Sequence, residues 1–594
     1  MNETSKPRYT NERNAQIVIA LLKAHGIHRV VANPGTTNIA FVGSVQNDSW
    51  FNVYSGVDER HSAYLACGMA AESGEPVVLS CTGATASRNY IPALTEAYYR
   101  KLPILALTSM RLFDNLGNLL PQMLDRSVPL KDMVRFSLQC PVPHTTQEEK
   151  SCESNVNKAI LELTRHGGGP VLINLETENG EVFGTSELPP CRVIHRITPF
   201  SKKWPEIDRS KKILVWVGSH RPFSPSETKA LESFVKLHNA VVAVDQTSGY
   251  GGKYAVHTAL VGSQPRLVAS RPELDADLVI HIGEISGDYP SFGVVSRASE
   301  FWRVNIDGEA RDLFQKLTNV FEMPESFFFE HYASGGKDES AGASHYLADW
   351  EATDMEVRGK FPEVPFSNFW IANVLCGKLP SDAVIHFGIL NSLRSWNLQR
   401  LPDGVRSSSN VGGFGIDGGM SSLIGASLVH PDRPYYLVIG DLAFFYDLNS
   451  LGNRHIGKNV RILLVNNGCG AEFDLYSHPG SQFGEQTNDY IAAGRHNGNC
   501  SRELVKHYAQ DLGFKYLAAS NKDEFNECLA EFVAPELETS IVFECFTTPQ
   551  DESDACRMID HIIETKPSLG SAVKNSIKAA LPQRVKNAVK ELIR

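Results

Sequence analysis

The chain has 594 residues, 42% of them hydrophobic and 21% charged, with 57 Lys and Arg against 68 Asp and Glu and a formal net charge of −11. That length exceeds a single core and predicts roughly three or four units of about 150 to 200 residues, while the acidic balance excludes a general nucleic-acid surface and leaves any phosphate binding to local devices. Eleven cysteines without a CxxC pair predict reduced thiols; the polar start, 1–13, and the lack of an apolar run of membrane-spanning length predict a cytoplasmic protein that is neither secreted nor inserted in a membrane.

From Asn14 to Leu188 short apolar strands alternate with amphipathic helices. Gln16–His25 reads as a helix, His28–Ala32 as a strand, Ser62–Ala71 as a helix, and Pro76–Ser80, Pro103–Leu107 and Pro170–Leu175 as strands. This switching of period is that of a doubly wound α/β domain, and the unperiodic stretch Thr177–Arg192 ends it. A Rossmann-like middle domain follows, with strands at Lys212–Gly218, Ala240–Asp245, Ala276–Gly283 and Phe301–Asp307 and a helix at Pro225–Leu237. Ala333–Ala343, poor in bulky apolar residues, reads as a flexible link. The third domain has strands at Ala383–Phe387, Pro434–Ile439, Val460–Val465 and Ser540–Phe543. The expected architecture is therefore three doubly wound parallel-sheet α/β domains, at 1–187, 188–350 and 351–560, followed by a basic tail, 561–594, that reads as solvated helix.

The strand Pro434–Ile439 runs into Gly440-Asp441, and open α/β sheets bind ligands beyond the carboxyl ends of their strands. Asn466-Asn467-Gly468 ends the next strand, and Asn467 lies 26 residues after Asp441, a distance that brings both side chains to one sheet edge through a crossover. Mg2+ takes about six oxygens, shared among carboxylates, carbonyls, phosphates and water. Asp441, the Asn467 side chain and the Cys469 carbonyl would supply three, and backbone N–H groups after Leu442 would face a diphosphate. The same residue types also make ordinary turns, and Glu59, within Val57-Asp58-Glu59-Arg60-His61, also reads as a charge at a helix start.

Gly440-Asp441 through Asn467 resembles the diphosphate-binding signature of the thiamine diphosphate enzymes, with Leu442 in place of the usual third glycine. The run from Gly440 to Asn449, Gly412-Gly413-Phe414-Gly415-Ile416-Asp417-Gly418, Asn33-Pro34-Gly35, Asp58-Glu59-Arg60, Thr82-Gly83-Ala84-Thr85 and the run from Tyr90 to Ala97 are similar to the menaquinone-pathway succinyl-enolpyruvyl-hydroxycyclohexene-carboxylate synthase family. The resemblance spans nearly the whole chain. It implies pyrimidine-binding, middle and diphosphate-binding domains in that order, with thiamine diphosphate and Mg2+ held between the first domain of one subunit and the third of another, in a homodimer or homotetramer. It further implies that Gly35, Thr82, Gly83, Asn89, Gly415, Ile416, Gly440, Asp441, Leu442, Ala443, Asn467, Cys469 and Gly470 contact the cofactor, Ile416 propping it in a bent form. Asp441, Asn467 and Cys469 would also hold the metal. Glu59 is implied as the catalytic acid, buried against the aminopyrimidine so that the ring's exocyclic nitrogen can take the thiazolium C2 proton; a desolvated carboxyl with a raised pKa suits that shared proton.

The resemblance leaves the choice of substrate to the pocket. Thr36, Arg111, Gln122 and Ser392 match the family pattern, with Arg111 the anchor for a donor carboxylate and Phe473 lining the pocket. Thr37, Trp396 and Val411 stand where the family places arginines, which removes bidentate carboxylate clamps. Glu472 stands at a position that is apolar in the family and suits an amine or hydroxyl. His61, His386 and His478 are candidate proton carriers. The expected function is a decarboxylating carboligase, a transferase that passes an acyl-anion equivalent from a 2-oxo acid to an aldehyde, ketone or enoyl acceptor, with a substrate pair unlike the family's. A simple 2-oxo acid decarboxylase, a carbon–carbon lyase of the same fold and a catalytically silent regulatory subunit are the alternatives.

Overall fold

A computed structural model describes residues 6–178, 182–334, 345–496, 501–535 and 538–563. The chain divides into two compact units, one comprising Met1–Asp208, Leu278–Ile282 and Ser299–Gly335, the other Arg209–Asp277, Gly283–Ala298 and Gly336–Arg594. Its strands form three α/β sheets, and every ladder described in them is parallel.

The first sheet contains β1 (Arg29–Ala32), β2 (Asn52–Ser55), β3 (Val77–Thr82), β4 (Ile104–Arg111), β5 (Phe136–Cys140) and β6 (Val171–Thr177), in the order β2-β1-β3-β4-β6-β5. Successive residues of its central strands point to opposite faces and both faces are covered. Val30, Val78, Leu105, Leu107 and Ile173 pack with the helix Arg13–Ala24, while Val31, Val77, Leu79, Ile104 and Ala106 pack with Glu59–Ser73 and Ile91–Arg100. This burial explains the continuous apolar runs that made the central strands readable.

The middle sheet contains β7 (His195–Ile197), β8 (Lys212–Val217), β9 (Asn239–Val244), β10 (Ala255–His257), β11 (Leu278–Ile282), β12 (Glu300–Asn305) and β13 (Leu317–Glu322). Within the first unit β11-β12-β13-β7 form one ladder, and within the second β10-β9-β8 form another. The helix Pro225–Leu237 begins at a reciprocal capping box between Ser224 and Glu227, the arrangement that satisfies two otherwise orphaned N–H groups.

The third sheet contains β14 (Val384–Phe387), β15 (Arg406–Ser409), β16 (Tyr435–Gly440), β17 (Val460–Asn466), β18 (Lys515–Ala519) and β19 (Ile541–Phe546), in the order β15-β14-β16-β17-β19-β18. Leu437, Ile439, Ile462, Leu464 and Val542 fill the core on one face against the helices Gly419–Ser427 and Leu504–Asp511. The register pairs Gly440 with Val465, so β16 and β17 end side by side.

Seven strands were not anticipated: β2, β5, β7, β10, β13, β15 and β18. Residues 335–344 of the expected link and 564–594 of the basic tail lie outside the described residues. Among the described residues no helix is long and apolar enough to cross a membrane.

Candidate active site

In the first unit the helix Glu59–Ser73 starts where it does because Asp58 caps it, its Oδ1 accepting the His61 N–H at 2.9 Å. Glu59 therefore occupies the first turn, with Asn89 Nδ2 donating to its Oε2 at 3.5 Å. Glu59 is half-buried rather than buried, because the helix start lies at the surface of its unit, where Val57 is 82% exposed. Beneath it the buried Asn33 donates to the Gly56 carbonyl at 2.7 Å and to Ser62 Oγ at 2.9 Å, and accepts from the Tyr90 hydroxyl at 2.7 Å. A Cβ at Gly56 would lie 1.9 Å from Ser62 Oγ, so any larger residue there would displace the Ser62 hydroxyl from Asn33. This network fixes the segment that leads into Glu59.

Thr37 donates to the Ser109 carbonyl at 2.6 Å, and its Oγ1 lies 2.5 Å from Thr82 Oγ1. With the Thr37 proton spent on Ser109, the Thr82 hydroxyl donates to Thr37. The Gly83 N–H also reaches the Ser109 carbonyl, at 2.6 Å. The structure thus brings Thr37, Thr82 and Gly83 together, with Gly35 alongside: a Cβ there would sit 3.1 Å from Thr82 Cβ. Thr36, Arg111 and Gln122 are exposed, Arg111 at the end of β4 and Gln122 in a loop with φ +69.

In the second unit Asp441 follows β16 directly and opens the short helix Asp441–Tyr446, which contains Leu442 and Ala443. Its Oδ1 accepts the Leu442 N–H at 2.8 Å and its Oδ2 the Gly468 N–H at 2.6 Å. The second bond ties the end of β16 to the turn after β17. That turn is held from its other side by Asn466, whose Nδ2 donates to the buried Glu544 at 2.7 Å, Glu544 also accepting from the Tyr516 hydroxyl at 2.7 Å. Asn467 is thereby fixed between two anchored residues, yet its Oδ1 is buried with no hydrogen-bond partner. Burial pushes the Asp441 carboxyl up to about 6, against the backbone N–H groups that stabilise its charge; a bound cation would reverse that direction. The Cys469 carbonyl accepts from the Ala471 N–H at 2.9 Å and keeps one lone pair, and the Gly470 N–H is held by the Ala492 carbonyl at 2.6 Å.

These atoms fit a hard cation. Among the described residues no three His, Cys, Asp or Glu side chains converge on one point, so a metal at Asp441 must draw on amide and carbonyl oxygen, as the Asn467 and Cys469 positions allow. No atom lies within 4 Å of a Cβ built on Gly440, which leaves that approach to the strand end open.

Gly415 and Ile416 are half-buried, in a loop where Phe414 has φ +53. Ser392, Trp396 and Val411 are buried, and Trp396 packs against Phe387 with ring centroids 5.2 Å apart. Glu472 does not stand free: Arg394 donates to both of its oxygens, at 2.5 and 2.8 Å. Phe473 packs edge-on to His478, whose Nδ1 accepts the Gly480 N–H at 3.0 Å. Burial pushes His386 down to about 4, which leaves it neutral. His61 is exposed. Arg394 was missed from sequence because nothing local marks a partner 78 residues away.

A strand-end carboxylate beside an unsatisfied amide oxygen is a donor set that suits a hard cation. Residues 13–128 match the N-terminal thiamine pyrophosphate-binding domain of thiamine pyrophosphate enzymes, and the chain is a thiamine diphosphate-dependent enzyme. It is 30% identical over 561 residues to the 2-succinyl-5-enolpyruvyl-6-hydroxy-3-cyclohexene-1-carboxylate synthase of Bacteroides fragilis, covering 92% of this chain and 98% of that protein. It is 29% identical over 577 residues to the synthases of the same name from Phocaeicola vulgatus and Bacteroides thetaiotaomicron, covering 94% of this chain and 100% of each. The chain belongs to the 2-succinyl-5-enolpyruvyl-6-hydroxy-3-cyclohexene-1-carboxylate synthase family.

Proposed function

We propose that the chain is a Mg2+-dependent decarboxylating carboligase that takes a 2-oxo acid as donor and joins its acyl carbon to an aldehyde, ketone or enoyl acceptor, with a substrate pair different from that in its relatives' name. The observation that carries the metal-dependent half of this reading is the unpartnered Asn467 Oδ1 one residue before Gly468, whose N–H is bonded to Asp441. Bound thiamine diphosphate would supply the electron sink through which a 2-oxo acid loses carbon dioxide. Asp441, Asn467 and the Cys469 carbonyl would hold the cation, which would neutralise the diphosphate charge. Glu59 holds the proton shared with the pyrimidine ring, and Asn89 orients its carboxylate.

The different substrate pair is supported by three positions. The Thr37 hydroxyl is committed to Ser109, and Trp396 and Val411 are core residues, 0% and 1% exposed, with no charge to offer a carboxylate. Arg111, exposed at the end of β4, is the cation we assign to a donor carboxylate. Glu472 is assigned to Arg394 rather than to a substrate amine. The half-exposed Glu59 behind the 82% exposed Val57 favours a homo-oligomer in which a second subunit covers this surface. The composition favours a cytoplasmic enzyme.

The test is carbon dioxide release from a panel of 2-oxo acids, with thiamine diphosphate and Mg2+ supplied and then withheld, followed by product analysis with added acceptors. Cofactor-dependent release accompanied by a coupled product is the expected result. Release that ends only in the free aldehyde would replace the carboligase with a decarboxylase, and full activity on the relatives' substrates would remove the claim of a different pair.

A further inference from the structure

Arg126 is 5% exposed in the first unit. Its Nη1 donates to Thr108 Oγ1, and its own carbonyl accepts from Asn174 Nδ2 at 3.1 Å, so the side chain is held in place. Its Nε and Nη2 are buried without a hydrogen-bond partner, and among the described residues no carboxylate forms an ion pair with it. The ionisable groups around it offer no negative charge: burial pushes the Cys81 thiol up to about 12, which leaves it neutral, and the Arg88 charge opposes that of Arg126. An uncompensated buried guanidinium is strongly destabilising.

The guanidinium borders a cavity of about 20 Å³, lined also by Arg88, Ser87, Tyr90, Thr108 and Met133. Such a volume holds one water or one monatomic ion. Water would hydrate Nε and Nη2 but would leave the buried Arg126 guanidinium without a counter-charge. The structure assigns this cavity to a single monovalent anion of chloride size, bound by Arg126 within the pyrimidine-binding half of the chain. A Cβ on Gly83 would approach Arg126 Nη2 to 2.5 Å, so the guanidinium lies beside the Thr82–Gly83 turn.

Crystals of the full chain soaked in sodium bromide test the assignment, with melting curves of the cofactor-loaded enzyme in chloride, bromide and gluconate at fixed ionic strength as the second reading. A bromide anomalous peak at the Arg126 guanidinium is expected, together with a saturable rise in Tm of about 2 to 4 °C in halide over gluconate that is lost in Arg126→Met. A site that shows only water at saturating bromide overturns the assignment, as does a halide effect that survives in Arg126→Met. If that variant fails to fold, the peak alone decides. Neither reading depends on turnover, so the outcome is separate from that of the proposed reaction.

Discussion

Replacing Arg394 with Met should destabilise the second unit far more than the loss of a surface ion pair, because it strands Glu472. The two side chains keep only 20% and 14% of their exposure and share a bidentate contact at 2.5 and 2.8 Å. Burial opposes the Arg394 charge, and the bonds and charge of Glu472 more than offset it, so the guanidinium pKa lies above its ordinary value. Exposed pairs contribute about 0 to 1 kcal/mol, but removing one member of a buried pair costs about 3 to 5 kcal/mol. The residual exposure places Arg394→Met at the lower end, about 3 kcal/mol, and Glu472→Gln at about 2 kcal/mol. The double variant Arg394→Met with Glu472→Leu leaves no stranded charge and should recover more than half of the summed loss. Differential scanning calorimetry reads the effect as a fall of roughly 4 °C for Arg394→Met, from an unfolding entropy of about 2.1 cal/mol/K per residue in a unit of this size. Single effects that add in the double variant to within about 0.5 kcal/mol would show that the two groups do not neutralise each other. An unchanged melting curve for Glu472→Gln with a raised KM would return Glu472 to the substrate.

Asp288 is 1% exposed, and burial first and the Asp245 charge second push its carboxyl up to about 7. Folding therefore favours its protonated form, a contribution that is full below the usual carboxylate range and lost as the pH rises through 7. Asp288→Asn should gain on the wild type between pH 5 and pH 8, by an amount on the order of a few kcal/mol, and a gap in Tm that is equal at both pH values would refute the linkage. Glu59→Gln should bind thiamine diphosphate normally while proton exchange at its C2, followed by NMR, slows by orders of magnitude; unchanged exchange would remove Glu59 from the proton relay. Asp441→Ala should abolish the Mg2+-dependent part of cofactor affinity measured by calorimetry, and undiminished affinity would move the metal elsewhere.

Six of the seven strands not anticipated from the sequence, β2, β5, β7, β10, β15 and β18, are the edges of the three sheets. The reason is physical. A central parallel strand is buried on both faces and reads as a continuous apolar run such as Ala-Val-Val-Ala-Val in β9, whereas an edge strand is short and polar on its open side. Asn52–Ser55 has only Val53 and Tyr54 between polar ends, Arg406–Ser409 has no apolar residue, and the burial of both is at most intermediate. They exist because β1 and β14 offer them a ladder, which no window of sequence reveals.

The same logic divides the candidate site. Asp441 and Asn467 were readable because the fold puts the ends of adjacent parallel strands side by side, so their positions follow from local pattern and spacing alone. Glu472 was read as a free acid because its partner is set by tertiary packing, and one sequence cannot show that Arg394 faces it. Arg126 carried no signal either, since an arginine followed by Ser-Val-Pro in a polar loop reads as solvated until the structure buries it against Gly83. Residues whose roles depend on the end of a strand are thus legible from sequence, and residues whose roles depend on a charge partner are not. The strand-end positions of Asp441 and Asn467 could be read before the fold was seen for that reason, whereas the proposed substrate half turns on pairings such as Arg394 with Glu472, which is why the coupling energy of that pair is the measurement that bears most directly on what Glu472 can offer a substrate.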